Sequence, residues 1–335
     1  MDEGPHNSDK PLVSVIVVTY CQEGTIARTL DSILSQRTDF NFEIVIGEDA
    51  STDGTRTVCE NYARRFPDVV RLMPKADNKG LVRNYFDTLM QCRGDFIADC
   101  AGDDFWCDDH KLQKQADVLM NSPEVSVVHT AWYNYDHYTG TKRCVKVPPT
   151  NSNECIRKIA LQEKYPVIQL STALYRRHII LEAIKEAPEF FFSDNIPCED
   201  LQIAYFLSKA GKVAYIPQAT LCYSIGQASL SSTHDKLKFI RFYMYSADLH
   251  YRIVQREQLT GKDVNRFFQN RICILLRRIL WANSSSLVDE IKAHAEQWQQ
   301  PLSLKNRLLA FCVRKYVLRQ ALFAIRRMTK ICRIR

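Results

Sequence analysis

Three pairs of adjacent carboxylates stand out along the chain: Glu48-Asp49, Asp103-Asp104 and Glu199-Asp200. Like charges held side by side are costly unless a proton or a cation compensates them. A hard divalent cation, bound by oxygen ligands and shared with phosphate oxygens, supplies that compensation. Such an ion stabilises charge building on a leaving diphosphate. Each acidic site also has a plainer reading. Acids favour helix N-termini, which suits Glu199-Asp200, and Asp53-Gly54 suits a simple turn. Their shared placement argues for chemistry: the first two pairs close apolar runs, and the third opens a helical one.

The elements that must position these acids can be read from periodicity. VSVIVVTY (13–20), FEIVIGED (42–49), VVRLMP (69–74) and GDFIADC (94–100) are apolar or β-branched runs of strand length. Between them, residues 23–36 place Ile26, Leu30, Ile33 and Leu34 on one helical face. Residues 51–66 do the same with Val58 and Tyr62, and residues 78–92 with Leu81, Tyr85, Phe86 and Leu89. Strands alternating with helices predict an α/β fold with a mostly parallel central sheet and right-handed crossovers. Ligands bind outside the carboxyl ends of such strands. Residues 19–23, 48–53, 74–80 and 101–104 are therefore expected to converge on one crevice. Residues 130–235 read as short strand-like pieces, among them VIQLSTALY (167–175), with one helix over 199–211 and Gly211 as its C-terminal cap. From 236 onward the pattern is mostly helical.

Several function classes are disfavoured. No G-x-G-x-x-G follows the first strand and no P-loop is present, so dinucleotide and P-loop readings lose ground. The twelve cysteines form no C-x-x-C pair, which predicts free thiols in a reducing cytoplasm and no structural zinc. No secretory signal or membrane-spanning run is evident. The formal charge of +7 is uneven: residues 301–335 carry ten Lys or Arg and no acid, which leaves −3 for the rest. The acidic body and the lack of a recognised motif argue against nucleic acid as a partner.

Taken in order, VSVIVVTYCQEGTIARTLDSILSQ, FEIVIGEDASTDGT, DNKGLVRNYFDTL, GDFIADCAGDDFW with KLQKQ, and PCEDLQIAYFLSKAGKVAYIP resemble successive blocks of a family-2 glycosyltransferase of the bacterial polysaccharide-biosynthesis type. The resemblance covers roughly residues 11–232. It implies a GT-A fold, a nucleotide-sugar donor (a UDP-sugar), a divalent Mn2+ or Mg2+ ion, and inversion at the anomeric carbon. By position, Thr19, Tyr20, Glu23, Glu48, Asp49, Asn78, Gly80, Arg83, Asn84 and Asp104 fall among the nucleotide-sugar contacts. Asp103 matches the last acid of the D-x-D metal motif. Asp200, beside Glu199, matches the catalytic base, which takes a proton from an acceptor hydroxyl as it attacks in line.

Two departures stand against this pattern. Ala101 replaces the first D-x-D acid, with Asp99 two residues earlier as a possible substitute. The histidine often found near the metal is missing from residues 221–232, with His234 as the nearest candidate. The expected organisation is a loose N-terminus over 1–10, a GT-A domain over 11–235 and a helical C-terminal region over 236–335. Drawn as one helix, residues 305–335 gather Lys305, Lys315, Arg319, Arg326, Arg327, Lys330 and Arg333 within about a third of the circumference. A basic amphipathic helix suits an anionic membrane surface. The reading is thus a cytoplasmic enzyme, peripheral on the inner face of the membrane, acting on a glycan or lipid-linked acceptor. Its rivals are a non-catalytic nucleotide-sugar-binding homologue and a membrane adaptor acting through the tail.

Overall fold

The computed structural model describes residues 10–147, 152–161, 167–193, 195–225, 235–315, 318, 320 and 321. The N-terminus expected to be loose therefore lies outside the described residues apart from Lys10, as does His234.

The first third builds as its periodicity dictates. The β-branched strand β1 (Val13–Thr19) is covered on both faces, which explains its unbroken apolar run. It pairs in parallel with β2 (Phe42–Glu48) and β4 (Phe96–Asp99), and β2 pairs in parallel with β3 (Val70–Leu72). The crossovers are α1 (Ile26–Leu34), α2 (Thr55–Arg65) and α3 (Leu81–Gln91). Ile26, Leu30, Ile33, Tyr62, Tyr85, Phe86 and Leu89 are buried, so each apolar face packs on the sheet. Register fixes the crevice: Thr19 lies beside Glu48, and Gly102 N–H continues the ladder past β4 by donating to Val18 O at 3.1 Å.

Beyond β4 the sheet departs from the mostly parallel expectation. Its order is β3-β2-β1-β4-β8-β6-β9-β5, with β7 on β6. The strands are β5 (Phe105–Trp106), β6 (Val125–Asp136), β7 (Lys142–Val145), β8 (Leu174–Arg176) and β9 (Lys212–Ile225). Parallel pairs (β1-β2, β1-β4, β2-β3, β6-β9) equal antiparallel ones (β4-β8, β5-β9, β6-β7, β6-β8), so the sheet is mixed. The strand read over 167–175 shrinks to β8, because Leu170–Thr172 forms a 3-10 turn. Thr172 Oγ1 holds that turn by donating to Gln169 O at 2.7 Å, a local bond that competes with a ladder.

Helix α4 (Lys111–Asn121) precedes β6. Among the described residues of 130–235, three α-helices form rather than one: α5 (Ser152–Ala160), α6 (Arg177–Glu186) and α7 (Asp200–Ala210). Gly211 ends α7, but in an extended conformation (φ −168°) rather than a left-handed cap. A Cβ there would sit 2.7 Å from Glu124 O, so close approach requires the glycine.

Two compact units divide the chain: Met1–Ile159 with Tyr165–Gln227, and Ala160–Lys164 with Ala228–Arg335. The second contains α8 (Lys236–Arg256), α9 (Lys262–Trp281), α10 (Val288–Gln297) and α11 (Leu304–Arg314). Asp248 accepts from Trp298 Nε1 at 2.7 Å and lies 2.8 Å from His294 Nδ1, which ties α8 to α10. The single helix drawn over 305–335 is interrupted where α11 stops at Arg314 and Lys315 turns extended (ψ 112°); Arg319, Arg326, Arg327, Lys330 and Arg333 lie outside the described residues.

Candidate active site

The loops leaving β1, β2, β3 and β4 are cross-tied at one edge of the sheet. Cys21 and Ala50, just past β1 and β2, both adopt left-handed backbone (φ 51° and 57°), a conformation costing roughly 1–2 kcal/mol for a side-chain-bearing residue. Bonds between loops hold this strain. Cys21 N–H donates to Ser51 Oγ at 2.9 Å, and Gln22 N–H to Thr55 Oγ1 at 2.8 Å. Glu23 and Asp53 bind each other's loops: Gly54 N–H donates to Glu23 Oε2 at 2.9 Å, and Glu23 N–H to Asp53 Oδ2 at 3.2 Å.

Several sequence-assigned contacts shape the backbone of the crevice. Asp49 uses both carboxylate oxygens on the loop before α3, accepting from Lys79 N–H at 2.7 Å and Gly80 N–H at 2.9 Å. Asn78 Nδ2 donates to Asp49 O at 2.8 Å. Gly80 needs its positive φ of 78° to enter α3. The buried Glu48 carboxylate accepts from Ser51 N–H at 2.6 Å and pairs with Arg56 Nη1 at 3.4 Å. Asn84 is buried, its Nδ2 donating to Gly47 O at 2.7 Å; Arg83 pairs with Asp87 at 2.9 Å on the exposed side of α3. Tyr20 stands half exposed at the rim.

The acid loop Ala101–Asp104 is locked from three sides. Thr25 Oγ1 donates to Gly102 O at 2.9 Å, Arg28 Nη2 to Asp103 O at 3.1 Å and Thr29 Oγ1 to Asp104 O at 2.6 Å. Ser224 of β9 adds its N–H to Asp104 Oδ1 at 2.8 Å and its hydroxyl to Asp103 O at 2.5 Å. Gly102 is obligatory: a Cβ would lie 2.4 Å from Gln22 Oε1 and 2.7 Å from Thr19 Oγ1. Burial raises the Asp103 carboxyl above its ordinary value, partly opposed by a hydrogen bond from the Gln22 side chain. Asp104, 1% exposed, is pushed further up by burial and by the charge of Asp103. Its Oδ2 is buried and makes no hydrogen bond. Two desolvated carboxylates with one oxygen unsatisfied form an electrostatic setting that suits a divalent cation. The first-acid substitute suggested by sequence does not serve: Asp99 turns into the core, where its Oδ1 accepts from Tyr85 Oη at 2.6 Å.

Glu199 and Asp200 stand at the start of α7. Burial, then the charge of Asp200, pushes Glu199 up to about 8. Tyr223 of β9 links the two acidic sites. Burial raises its phenol, and Asp104, Asp103, Asp200 and Glu199 all add to the rise. The pairs, about a hundred residues apart in sequence, therefore share one electrostatic environment.

Among the described residues, the three-ligand cluster with metal-binding spacing is Asp108, Asp109 and His110, not the acid loop. Its acids are already paired with Lys114 and Arg37, at 2.7 and 3.2 Å. Gln22, Thr25, Arg28, Thr29, Tyr223 and Ser224 were not singled out by sequence reasoning. Thr25, Arg28 and Thr29 could have been found as a polar i, i+3, i+4 stripe beside the loop; nothing local marks Tyr223 or Ser224.

The model of glycosyl transferase family 2 matches residues 14–182, half of the chain, and the chain belongs to that family. It is similar to the uncharacterized protein Rv1520 of Mycobacterium tuberculosis, 32% identical over 216 residues, or 63% of this chain and 58% of that protein. The chain thus spans less than two thirds of that relative's length. It is 36% identical over 128 residues to the putative glycosyltransferase EpsE of Bacillus subtilis, covering 38% of this chain and 45% of that one. Among solved structures, S. aureus TarS 1–349 in complex with UDP-GlcNAc superposes with a TM-score of 0.53 at 16% identity, covering 90% of each chain. Mannosyltransferase PcManGT from Pyrobaculum calidifontis, in complex with GDP-Man and Mn2+, gives 0.54 at 17% identity over 94% of this chain and 87% of that one. These likenesses show the GT-A fold.

Proposed function

We propose that the chain is an inverting, divalent-cation-dependent glycosyltransferase of cell-surface polysaccharide synthesis, moving a sugar from a UDP-sugar to a hydroxyl of a glycan or lipid-linked acceptor. The observation that carries this reading is the acid loop of a family-2 chain, locked by Thr25, Arg28 and Thr29 and holding the buried Asp104 Oδ2 without a hydrogen bond. In this reading the cross-tied loops of Thr19, Tyr20, Glu23, Glu48, Asp49, Asn78, Gly80, Arg83 and Asn84 shape the nucleotide end of the crevice. Asp103, with Asp104 behind it, would hold Mn2+ or Mg2+. A bound ion of this kind neutralises charge on a departing diphosphate. Asp200 accepts the acceptor's proton at a carboxylate oxygen as the hydroxyl oxygen bonds the anomeric carbon and the diphosphate leaves. Glu199 stands beside it, its Oε2 buried without a hydrogen bond. A protein working on the inner face of the membrane would use α11 and the basic residues after it to meet anionic lipid.

Names of relatives support the pathway class: the putative teichuronic acid biosynthesis glycosyltransferase TuaG of Bacillus subtilis is 33% identical over 111 residues. The test is a screen of nucleotide sugars with Mn2+ or Mg2+ that follows nucleoside diphosphate release with a bacterial lipid-linked acceptor extract. Release should require both metal and one donor and collapse in Asp103→Ala. Background release from every donor, with UDP still bound, would instead identify a non-catalytic homologue.

A further inference from the structure

Directly after the acid loop, Phe105 of β5 sits edge-on to Tyr135 of β6, with ring centroids 5.3 Å apart and planes at 87°. Two cations from different elements converge on this ring pair. The Arg28 guanidinium of α1 lies 4.2 Å from the Phe105 centroid and 5.4 Å from that of Tyr135. Lys142 Nζ of β7 lies 5.6 Å from Phe105 and 6.0 Å from each of Tyr133 and Tyr135. Strand register accounts for the lysine: Lys142 is the cross-strand partner of Tyr135, so both side chains leave the same face.

Neither cation forms an ion pair among the described residues. Arg28 spends Nη2 on the Asp103 carbonyl, and its buried Nε makes no hydrogen bond. No Asp or Glu occurs from 137 to 153, whereas Lys142, Arg143 and Lys146 are all exposed. The Arg28 charge is partly answered by the Asp103 and Asp104 carboxyls, and Lys142 reaches the Cys222 thiol, so the exposed Lys142 is the cation open to an outside anion. Aromatic faces pack on the C–H faces of sugars, and cations beside them bind acidic groups.

We propose that Phe105, Tyr133 and Tyr135, with Arg28 and Lys142, form an acceptor subsite for an anionic glycan bearing phosphate or carboxylate groups. The proposal rests on the glycosyltransferase reading. The bond from Arg28 to Asp103 O sets the subsite against the acid loop, so a glycan lying on the rings ends near the reacting centre.

Calorimetric titration of the full chain, with UDP present and at low salt, tests the subsite. The probes are a glycerol-phosphate oligomer, an oligogalacturonate and neutral maltohexaose. Both acidic oligomers should bind about tenfold or more tighter than maltohexaose. Lys142→Gln should weaken them about tenfold, while Arg143→Gln, on the opposite face of β7, should change little. Melting temperatures and UDP affinity should be unchanged in both exposed-site variants. Equal affinity for neutral and acidic oligomers, no saturable binding of either acid, or acidic binding that survives Lys142→Gln on the basic tail would overturn the subsite. Failure to bind UDP would count against the glycosyltransferase reading instead.

Discussion

The acid loop depends on one small residue and tolerates another. Gly102 sits where any Cβ meets Thr19 and Gln22, so the loop reaches the crevice only as glycine. Gly102→Ala should therefore push Asp103 outward and cut turnover at least tenfold, with a stability loss of only about 1–2 kcal/mol by thermal melting. Ala101 is different: half-buried beside the acids, it has no such steric duty. Ala101→Asp should leave metal affinity unchanged or raised, as titration calorimetry with Mn2+ would show. A large loss would mean that the alanine is required for donor shape. Residue types alone revealed the acids, because adjacent like charges at strand ends are visible in any sequence. They could not reveal how those acids are used. Glu48 and Asp49 read as nucleotide-sugar contacts, and their carboxylates also organise the loops of Lys79, Gly80 and Ser51, which no residue type announces. Asp99 lay close enough in sequence to stand in for the missing acid, and only the pleat of β4 decided against it.

That inward-facing Asp99 makes a prediction for the sheet. Held beneath α3 by Tyr85, whose hydroxyl lies 2.8 Å from that of Tyr175, it is 5% exposed with Oδ2 unsatisfied. Burial pushes it up to about 7. A carboxyl whose folded value lies above its unfolded one binds more protons in the native state between those values. Stability therefore falls as pH rises from about 4 to about 7, then stays level. Asp99→Asn should melt several degrees above the parent at pH 8, and the difference should vanish toward pH 4. Helices α1, α2 and α3 and strands β1, β2 and β4 were legible because each carries one unambiguous apolar face or run. Between β5 and β9, a helix then a strand over 110–130 (α4 and β6) and the helix over 199–211 (α7) were legible too, but the short pieces around them were not. The two- and three-residue strands β5 and β8 have no period to detect, and α6 follows β8 without a turn signal. Antiparallel insertion of β8 between β4 and β6 is a tertiary choice with no local mark.

At the scale of the whole chain, the C-terminal unit carries the membrane prediction. Helix α11 buries Asn306, Ala310 and Val313 and presents Leu304, Leu308 and Phe311 on the opposite side, 75%, 59% and 53% exposed. At 100° per residue the two sets lie about 180° apart, so the outer stripe is surplus to packing. Lys305, Arg307, Arg314 and Lys315 are exposed around it. No helix among the described residues is long and apolar enough to cross a membrane, and the attachment proposed is at the surface. Co-sedimentation should show binding to phosphatidylserine vesicles but not phosphatidylcholine ones. The binding should weaken with salt and fall further in Leu308→Gln with Phe311→Ser, because near-surface cations contribute about 1 kcal/mol each and the stripe adds its own burial. The charge asymmetry was plain from composition, but the stripe emerged only once α11 had chosen which face to bury.

The central claim is that Asp200 is the base serving a donor held by the acid loop, and one variant tests it most directly. Asp200→Asn keeps the size of the side chain and removes its basicity. With the donor identified by the screen, its turnover should drop by roughly a hundredfold or more, while donor affinity, read by calorimetry with Mn2+, stays within about twofold of the parent. Turnover that persists in Asp200→Asn, with donor binding intact, would contradict the account.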